Sequence, residues 1–148
     1  MRFVTENELN NFIFDDAVIQ SIEKQNDHVN MILDNVRIKP ENSMNRDIVT
    51  KRTNDLLITI PSTKWQLIEE GYQLFDADLN PIQTIEDRIV KEEDIAHDLS
   101  LFNGCYVDEM RKEEDRYILC FVVEDHTWRL EVEGKEDKEA WNRFFNIE

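Results

Sequence analysis

The residues whose spacing most resembles a chemical site are Asp76, Asp78 and Asn80. With Asp87 they fall at the first, third, fifth and twelfth positions of an EF-type calcium loop. Such a loop turns sharply at its sixth position on a backbone that glycine supplies, whereas here that position is Pro81, whose ring holds φ at roughly −65°. The flanks Tyr72–Phe75 and Ile82–Ile85 read as strands rather than helices, and Asp and Asn are ordinary turn formers. A hairpin turn without a metal is therefore expected.

Other chemistries fail on spacing. His28, His97 and His126 occur singly, with no His-x-x-x-His pair, so no zinc ligand set assembles. No serine lies in a Gly-x-Ser-x-Gly elbow. Cys105 and Cys120 fall in apolar strands, where burial raises a thiol's pKa and makes it inert, and they lack the spacing of a metal finger or a disulfide framework. Gly71, Gly104 and Gly134 stand as punctuation and cannot form a phosphate-cradling loop. Carboxylates are plentiful, so paired-acid hydrolysis stays open on composition alone, but they gather in turns. The expectation is a protein with no catalytic residue, no cofactor and no metal.

Charge points to binding instead. The 148 residues carry 33 acidic and 17 basic side chains, for a net charge of −16. Residues 1–74 hold 12 acids and 8 bases, and residues 75–148 hold 21 and 9, so the surplus lies in the second half. Such a field repels phosphate backbones and anionic membranes, and it accelerates encounter with a basic protein. The densest runs are Glu92, Glu93 and Asp94, then Asp108 and Glu109, then Glu113, Glu114 and Asp115. These eight residues are the candidate partner-binding positions, although runs of this kind are also ordinary solvated faces.

The elements that must position these residues follow from periodicity. Ala17–Lys24 and Val29–Leu33 read as a hairpin about the turn Gln25–His28, with the second strand extending through Val36 and Ile38. Pro40–Asn54 reads as a long polar loop, and Asp55–Ile60 as an apolar strand closed by Pro61. Cys105–Lys112 and Arg116–Glu124 flank the turn Glu113–Asp115, and the second of these strands is apolar on both faces, as in a central covered strand. Trp128, Leu130 and Val132 alternate with charged residues. Helices are expected over Glu6–Phe12, from a Thr5/Glu8 capping box, and over Glu92–Phe102, where Ile95, Leu99 and Phe102 share a face. One more is expected from about Asp137, with Trp141, Phe144 and Phe145 on one stripe. Ser62–Thr63 could begin another, with a strand at Trp65–Ile68 as the competing reading. The predicted fold class is α+β: mainly antiparallel β, a twisted sheet or sandwich of hairpins, with two to four short helices including a C-terminal one. Residues 1–148 are expected to form a single domain, as a monomer or a homodimer.

A shift of 88 residues lays Phe14 on Phe102, Lys24 on Lys112 and Asp27 on Asp115, and it lays Val29, Met31 and Leu33 on Tyr117, Leu119 and Phe121 without a gap. Either a duplication or two hairpins of equal length would give this pattern. Both imply two hairpins of similar geometry.

The segment Phe14-Asp15-Asp16-Ala17-Val18-Ile19-Gln20-Ser21-Ile22, followed by Val29-Asn30-Met31-Ile32-Leu33, resembles the opening hairpin of small uncharacterised bacterial proteins. In its small size, acidity and lack of catalytic residues the chain is similar to the immunity proteins of bacterial toxin systems. That resemblance implies a stoichiometric inhibitor that covers a basic toxin's active site with carboxylates and aromatics. The N-terminus lacks a secretory signal pattern, no apolar run is long enough to span a membrane, and two cysteines suit a reducing compartment, so a cytoplasmic location is expected. The expected function is a non-enzymatic acidic domain that binds a basic protein, with no nucleic acid and no membrane partner. The alternative is a small-ligand or hydrolytic domain with a cleft between sheet and helices.

Overall fold

Alternating apolar and polar residues run through most of this chain, and they fold into antiparallel strands in a computed structural model that describes residues 1–147. One five-stranded sheet has the order β1 (Phe3–Glu6), β15 (Lys138–Trp141), β7 (Leu56–Pro61), β4 (His28–Asp34), β3 (Val18–Lys24). The other has the order β11 (Arg88–Ile89), β8 (Lys64–Glu69), β14 (His126–Glu133), β13 (Arg116–Val123), β12 (Val107–Glu113). A smaller sheet joins β2 (Phe12–Ile13), β5 (Val36–Ile38) and β6 (Lys51–Thr53). The strands β9 (Tyr72–Phe75) and β10 (Pro81–Ile85) form a separate two-stranded arm.

The helix content corrects the expected α+β class. Among the described residues the only α-helix is α1 (Glu92–Ser100), accompanied by a 3-10 turn at Leu9–Asn11. The Thr5/Glu8 spacing does not cap a helix. The Thr5 hydroxyl donates to Glu139 Oε1 and the Glu8 carboxylate accepts from Ser43, so both side chains serve tertiary contacts and the segment is split between β1 and β2. From Ser62 onward the strand reading holds, as β8. The segment expected as a C-terminal helix is β15, paired with β1 on one side and β7 on the other. The polar segment 40–54 contains β6 and is tied down by Asn45, whose buried amide donates to the carbonyls of Ile38, Lys39 and Val49.

The two large sheets are copies of one frame. In β3–β4 the pairs are Ile19↔Leu33, Ser21↔Ile32, Ile22↔Met31 and Lys24↔Val29, with a bulge between Ile19 and Ser21. In β12–β13 they are Val107↔Phe121, Glu109↔Cys120, Met110↔Leu119 and Lys112↔Tyr117, with a bulge between Val107 and Glu109. The 88-residue shift carries each pair, and the bulge, onto its counterpart. It also carries Asp16, at φ 66°, onto Gly104, at φ 88°, so both bulged strands are entered through a left-handed residue. A shift of 72 residues likewise carries the register of β7 with β15 onto that of β14 with β8, Ile58↔Glu139 matching Leu130↔Leu67.

The halves meet on an approximate two-fold axis. Val18 bridges its own counterpart Tyr106. The Ile19 N–H donates to the Cys105 carbonyl and the Val107 N–H to the Ala17 carbonyl, both at 2.8 Å. The chain crosses from sheet to sheet after β7 and again after β14, so each half lends its last strand to the other. At these crossings the Ser62 N–H donates to the Asp27 carbonyl (2.9 Å) and the Gly134 N–H to the Asp115 carbonyl (2.8 Å), again as counterparts. One hydrophobic cluster fills the space between, drawing on both sheets and on Ile95, Leu99 and Phe102 of the α1 segment. Phe102 packs at 4.3 Å from Phe121 and 5.1 Å from Trp128, and fully buried Trp141 lies among Phe3, Phe12 and Phe144.

Candidate interaction surface

The turn Glu113–Arg116 joins β12 to β13 with Glu114 in the left-handed region at φ 52°. Its position is set by the bond from Gly134 to Asp115 described above and by Lys112, which lies over the Tyr117 ring at 5.2 Å and donates to the Lys135 carbonyl. Around the turn opens a hollow of about 910 Å³, walled by Glu113, Glu114, Asp115, Arg116, Glu133 and Lys135. A second hollow of about 340 Å³ shares Arg116 and Glu133 with it, and has Trp65, Ile89, Val90 and Ile95 in its wall and Glu92 at its rim. The two adjoin as a groove with an apolar stretch and an acidic border.

The eight candidate acids separate into two classes. Glu109 and Glu113 belong to a ladder that crosses the outer face of the second sheet. Arg111 bridges Glu109 (2.6 Å) and Glu113 (3.0 Å), Arg116 bridges Glu113 (3.7 Å) and Glu131 (3.4 Å), and Arg129 bridges Glu131 (3.5 Å) and Glu70 (2.6 Å). The ladder explains why Ile118 and Cys120 are buried although they face away from the core, because long charged side chains cover apolar surface with their stems. Glu92 is paired with Lys24 at 2.6 Å. These three carboxylates are neutralised within the chain. Glu93, Asp94, Asp108, Glu114 and Asp115 have no ion-pair partner among the described residues. Glu93 and Asp94 lie in the first turn of α1, where the helix dipole favours anions, so their placement has a local cause. Asp108 lies at the opposite end of β12 from the turn. The acids that stand free around the groove are therefore Glu114 and Asp115, joined by Glu133, whose contact to Lys64 is long at 4.0 Å. Glu133 was not a sequence candidate. Its strand alternation marks it as solvent-facing, but only the fold brings it beside the turn.

A different set of carboxyls was hidden from the sequence. Asp137, just before β15, and Glu139, on it, are buried at 3% and 0% exposure. The Tyr117 hydroxyl donates to Asp137 Oδ2 (2.5 Å), and Glu139 Oε1 accepts from the Thr5 hydroxyl (2.9 Å) and the Glu8 N–H (3.3 Å). Burial first, then the hydrogen bond to Asp137, pushes the Glu139 pKa up to about 9. Asp137 Oδ1 and Glu139 Oε2 are buried with no hydrogen-bond partner among the described residues, and a proton shared between the two carboxyls would satisfy them. Burial, followed by the Asp137 carboxylate, pushes the Tyr117 hydroxyl pKa upward as well. A hollow of about 220 Å³ reaches Asp137 from outside, but Glu139 and Tyr117 line none of it. The cluster fastens β15, β13 and β1 to one another.

The remaining candidates fall where turn chemistry places them. The Asp76 carboxylate accepts the N–H groups of Asn80 (3.0 Å) and Asp78 (2.9 Å), the first of which contributes most to holding its pKa below the ordinary value. His28 contacts Asp27 at 2.7 Å, and His126 packs edge-on to Tyr72. Both cysteines are free thiols, with burial as the largest cause of their raised pKa values. Among the described residues no three His, Cys, Asp or Glu side chains converge as metal ligands, and no helix is long and apolar enough to cross a membrane.

Compared with known proteins, the chain matches no family model, and no curated protein or solved structure is significantly similar to it.

Proposed function

We propose that the protein is a non-enzymatic binding domain that takes a basic, amphipathic segment of a partner protein into the groove beside the β12–β13 turn. The observation that supports this reading is the co-location of Glu114, Asp115 and Glu133 around the hollows walled by Trp65, Ile89 and Ile95. Cationic side chains would meet Glu114 and Asp115, which have no ion-pair partner among the described residues, and Glu133, held by Lys64 only at 4.0 Å, while an apolar face would cover the exposed Ile89. The net charge of −16 would steer such a partner at long range. The finer reading is an immunity-type inhibitor, acting in the cytoplasm on a basic toxin.

The test is the association rate with a Lys/Arg-rich amphipathic peptide. Between about 0.1 and 1 M salt the Debye length falls from about 10 to about 3 Å, and the rate should fall by about tenfold or more. A variant combining Glu114→Gln, Asp115→Asn and Glu133→Gln should associate slowly at both salt concentrations. A rate indifferent to salt and to these substitutions would remove the basis of the reading.

A further inference from the structure

The frame shared by the two halves needs only a short connection between its second and third strands, and β13 passes to β14 through the turn Glu124–Asp125. The first half instead inserts the segment that contains β5 and β6. Across the outer face of the small sheet a single transverse row runs through four chain segments. Ile13 pairs with Arg37, Arg37 with Arg52, and Arg52 bridges Phe145. Directly opposed residues on antiparallel strands present their side chains to the same face, about 5 Å apart at Cβ. Val36 and Ile38 flank Arg37 and are buried in the core, so the row faces outward, and all four of its members are half-buried.

Two cations directly opposed on neighbouring strands destabilise a sheet. A chain with 33 acids to 17 bases could readily neutralise them, and elsewhere it does so with Arg111, Arg116 and Arg129. Yet neither Arg37 nor Arg52 has a carboxylate within ion-pair reach among the described residues. Arg52 donates to Asn54 Oδ1 at 3.3 Å and lies over the Phe145 ring at 5.2 Å, which holds its fork in place. Lys39, two positions along from Arg37, donates from its ammonium to the Asn10 carbonyl at 2.8 Å. We propose that this row binds a dianionic phosphate-type group carried on an apolar or aromatic body. Two guanidinium forks match the charge and the oxygens of such a group, and Ile13 and Phe145 flank them with apolar surface. Short bidentate contacts can operate inside an acidic protein because exposed charges beyond about 8 Å are largely screened at physiological salt.

Phenyl phosphate is the probe, titrated against the full chain with backbone amide shifts as the readout, and with inorganic phosphate and benzoate in parallel. Phenyl phosphate should move the amides of Arg37, Arg52 and Phe145 saturably, and should bind more tightly than either of the others. Arg37→Gln and Arg52→Gln should each weaken it by about tenfold. Without ligand, Arg37→Gln should melt at or above the wild-type temperature, because it relieves the opposed charges. Unmoved amides, equal affinity in the variants, or a lowered melting temperature for Arg37→Gln would each overturn the site. Benzoate binding as tightly as phenyl phosphate would overturn the dianion, and inorganic phosphate doing so would overturn the apolar body.

Discussion

The hairpins β3–β4 and β12–β13 share their strand pairing, their bulge and their place beside the axis, but their turns differ in chemistry. The first reads Gln25-Asn26-Asp27-His28, and the second Glu113-Glu114-Asp115-Arg116. Since the first turn closes an equivalent hairpin with one carboxylate, the cluster of acids in the second is not a requirement of the frame. The crossings differ in the same sense. The positions of Asp137, just before β15, and of Glu139 on it are held on β8 by Trp65 and Leu67, so an apolar pair can serve there. Where two halves are built alike, the residues that break the likeness separate what the chain needs for folding from what it has acquired besides. By that standard the acidic turn, the buried carboxyl pair and the insert bearing Arg37 and Arg52 are acquired.

Substitutions can break this comparison or sharpen it. The largest effect is expected for Asp137→Ala, which leaves the Tyr117 hydroxyl and the Glu139 carboxyl in the core without their acceptor. At about 1–3 kcal/mol for each of the two orphaned groups, denaturant titration should show a loss of roughly 2–6 kcal/mol. Glu139→Gln comes next and has a distinct signature. In the native protein Glu139 holds its proton up to about pH 9, whereas an exposed glutamate releases it near 4.5. The native state therefore binds more protons across that window, and wild-type stability should fall as pH rises through it. The substituted amide cannot titrate and still donates to Asp137. The variant should accordingly show a flatter profile and exceed wild type at pH 8 by about 1–3 kcal/mol, a gain that thermal melts at pH 5 and pH 8 would measure. A smaller gain, of about 0.5–1 kcal/mol, is expected for Glu114→Gly, because glycine adopts the left-handed region without the cost a side chain brings. Smallest is replacement of residues 113–116 by the Gln-Asn-Asp-His of the first turn. Chemical denaturation should detect a change within about 0.5 kcal/mol, while association with the basic peptide should be lost. A large loss of stability there would mean that the acids serve the fold after all.

The hairpins and α1 were legible in the sequence because their side chains alternate or recur as burial demands. Val29, Met31 and Leu33 point inward with period two, and Ile95, Leu99 and Phe102 share a helical face. Strand β15 was not legible, for a physical reason. Its buried positions include Glu139 and Trp141, and buried Asp137 immediately precedes it, so two carboxyls at core sites invert the pattern by which a strand is recognised. What remained visible was the spacing of Trp141, Phe144 and Phe145, which fits a helix. Thr5 and Glu8 misled similarly, since hydroxyl and carboxylate can cap a helix or reach across a sheet, and only the partners decide. The acidic turn could be found from composition, but not which of its acids are free, because Arg111 and Arg116 choose their partners through strand register. The opposition of Arg37 and Arg52 was out of reach altogether. It depends on pairing between β5 and β6 across a polar connection whose length is too great for a turn type to set the register.

Because each half lends its final strand to the other, the second sheet is built within residues 64–133, whereas the first must gather β15 from the far end of the described residues. During synthesis β7 must wait for β15 before its second edge is covered, while β8 emerges long before the β14 it will lie against. Synthesis must reach β14 before the second sheet closes and β15 before the first does. Loss of β15 should consequently strip β1 of its partner, uncover the edge of β7 and open the first sheet before the second.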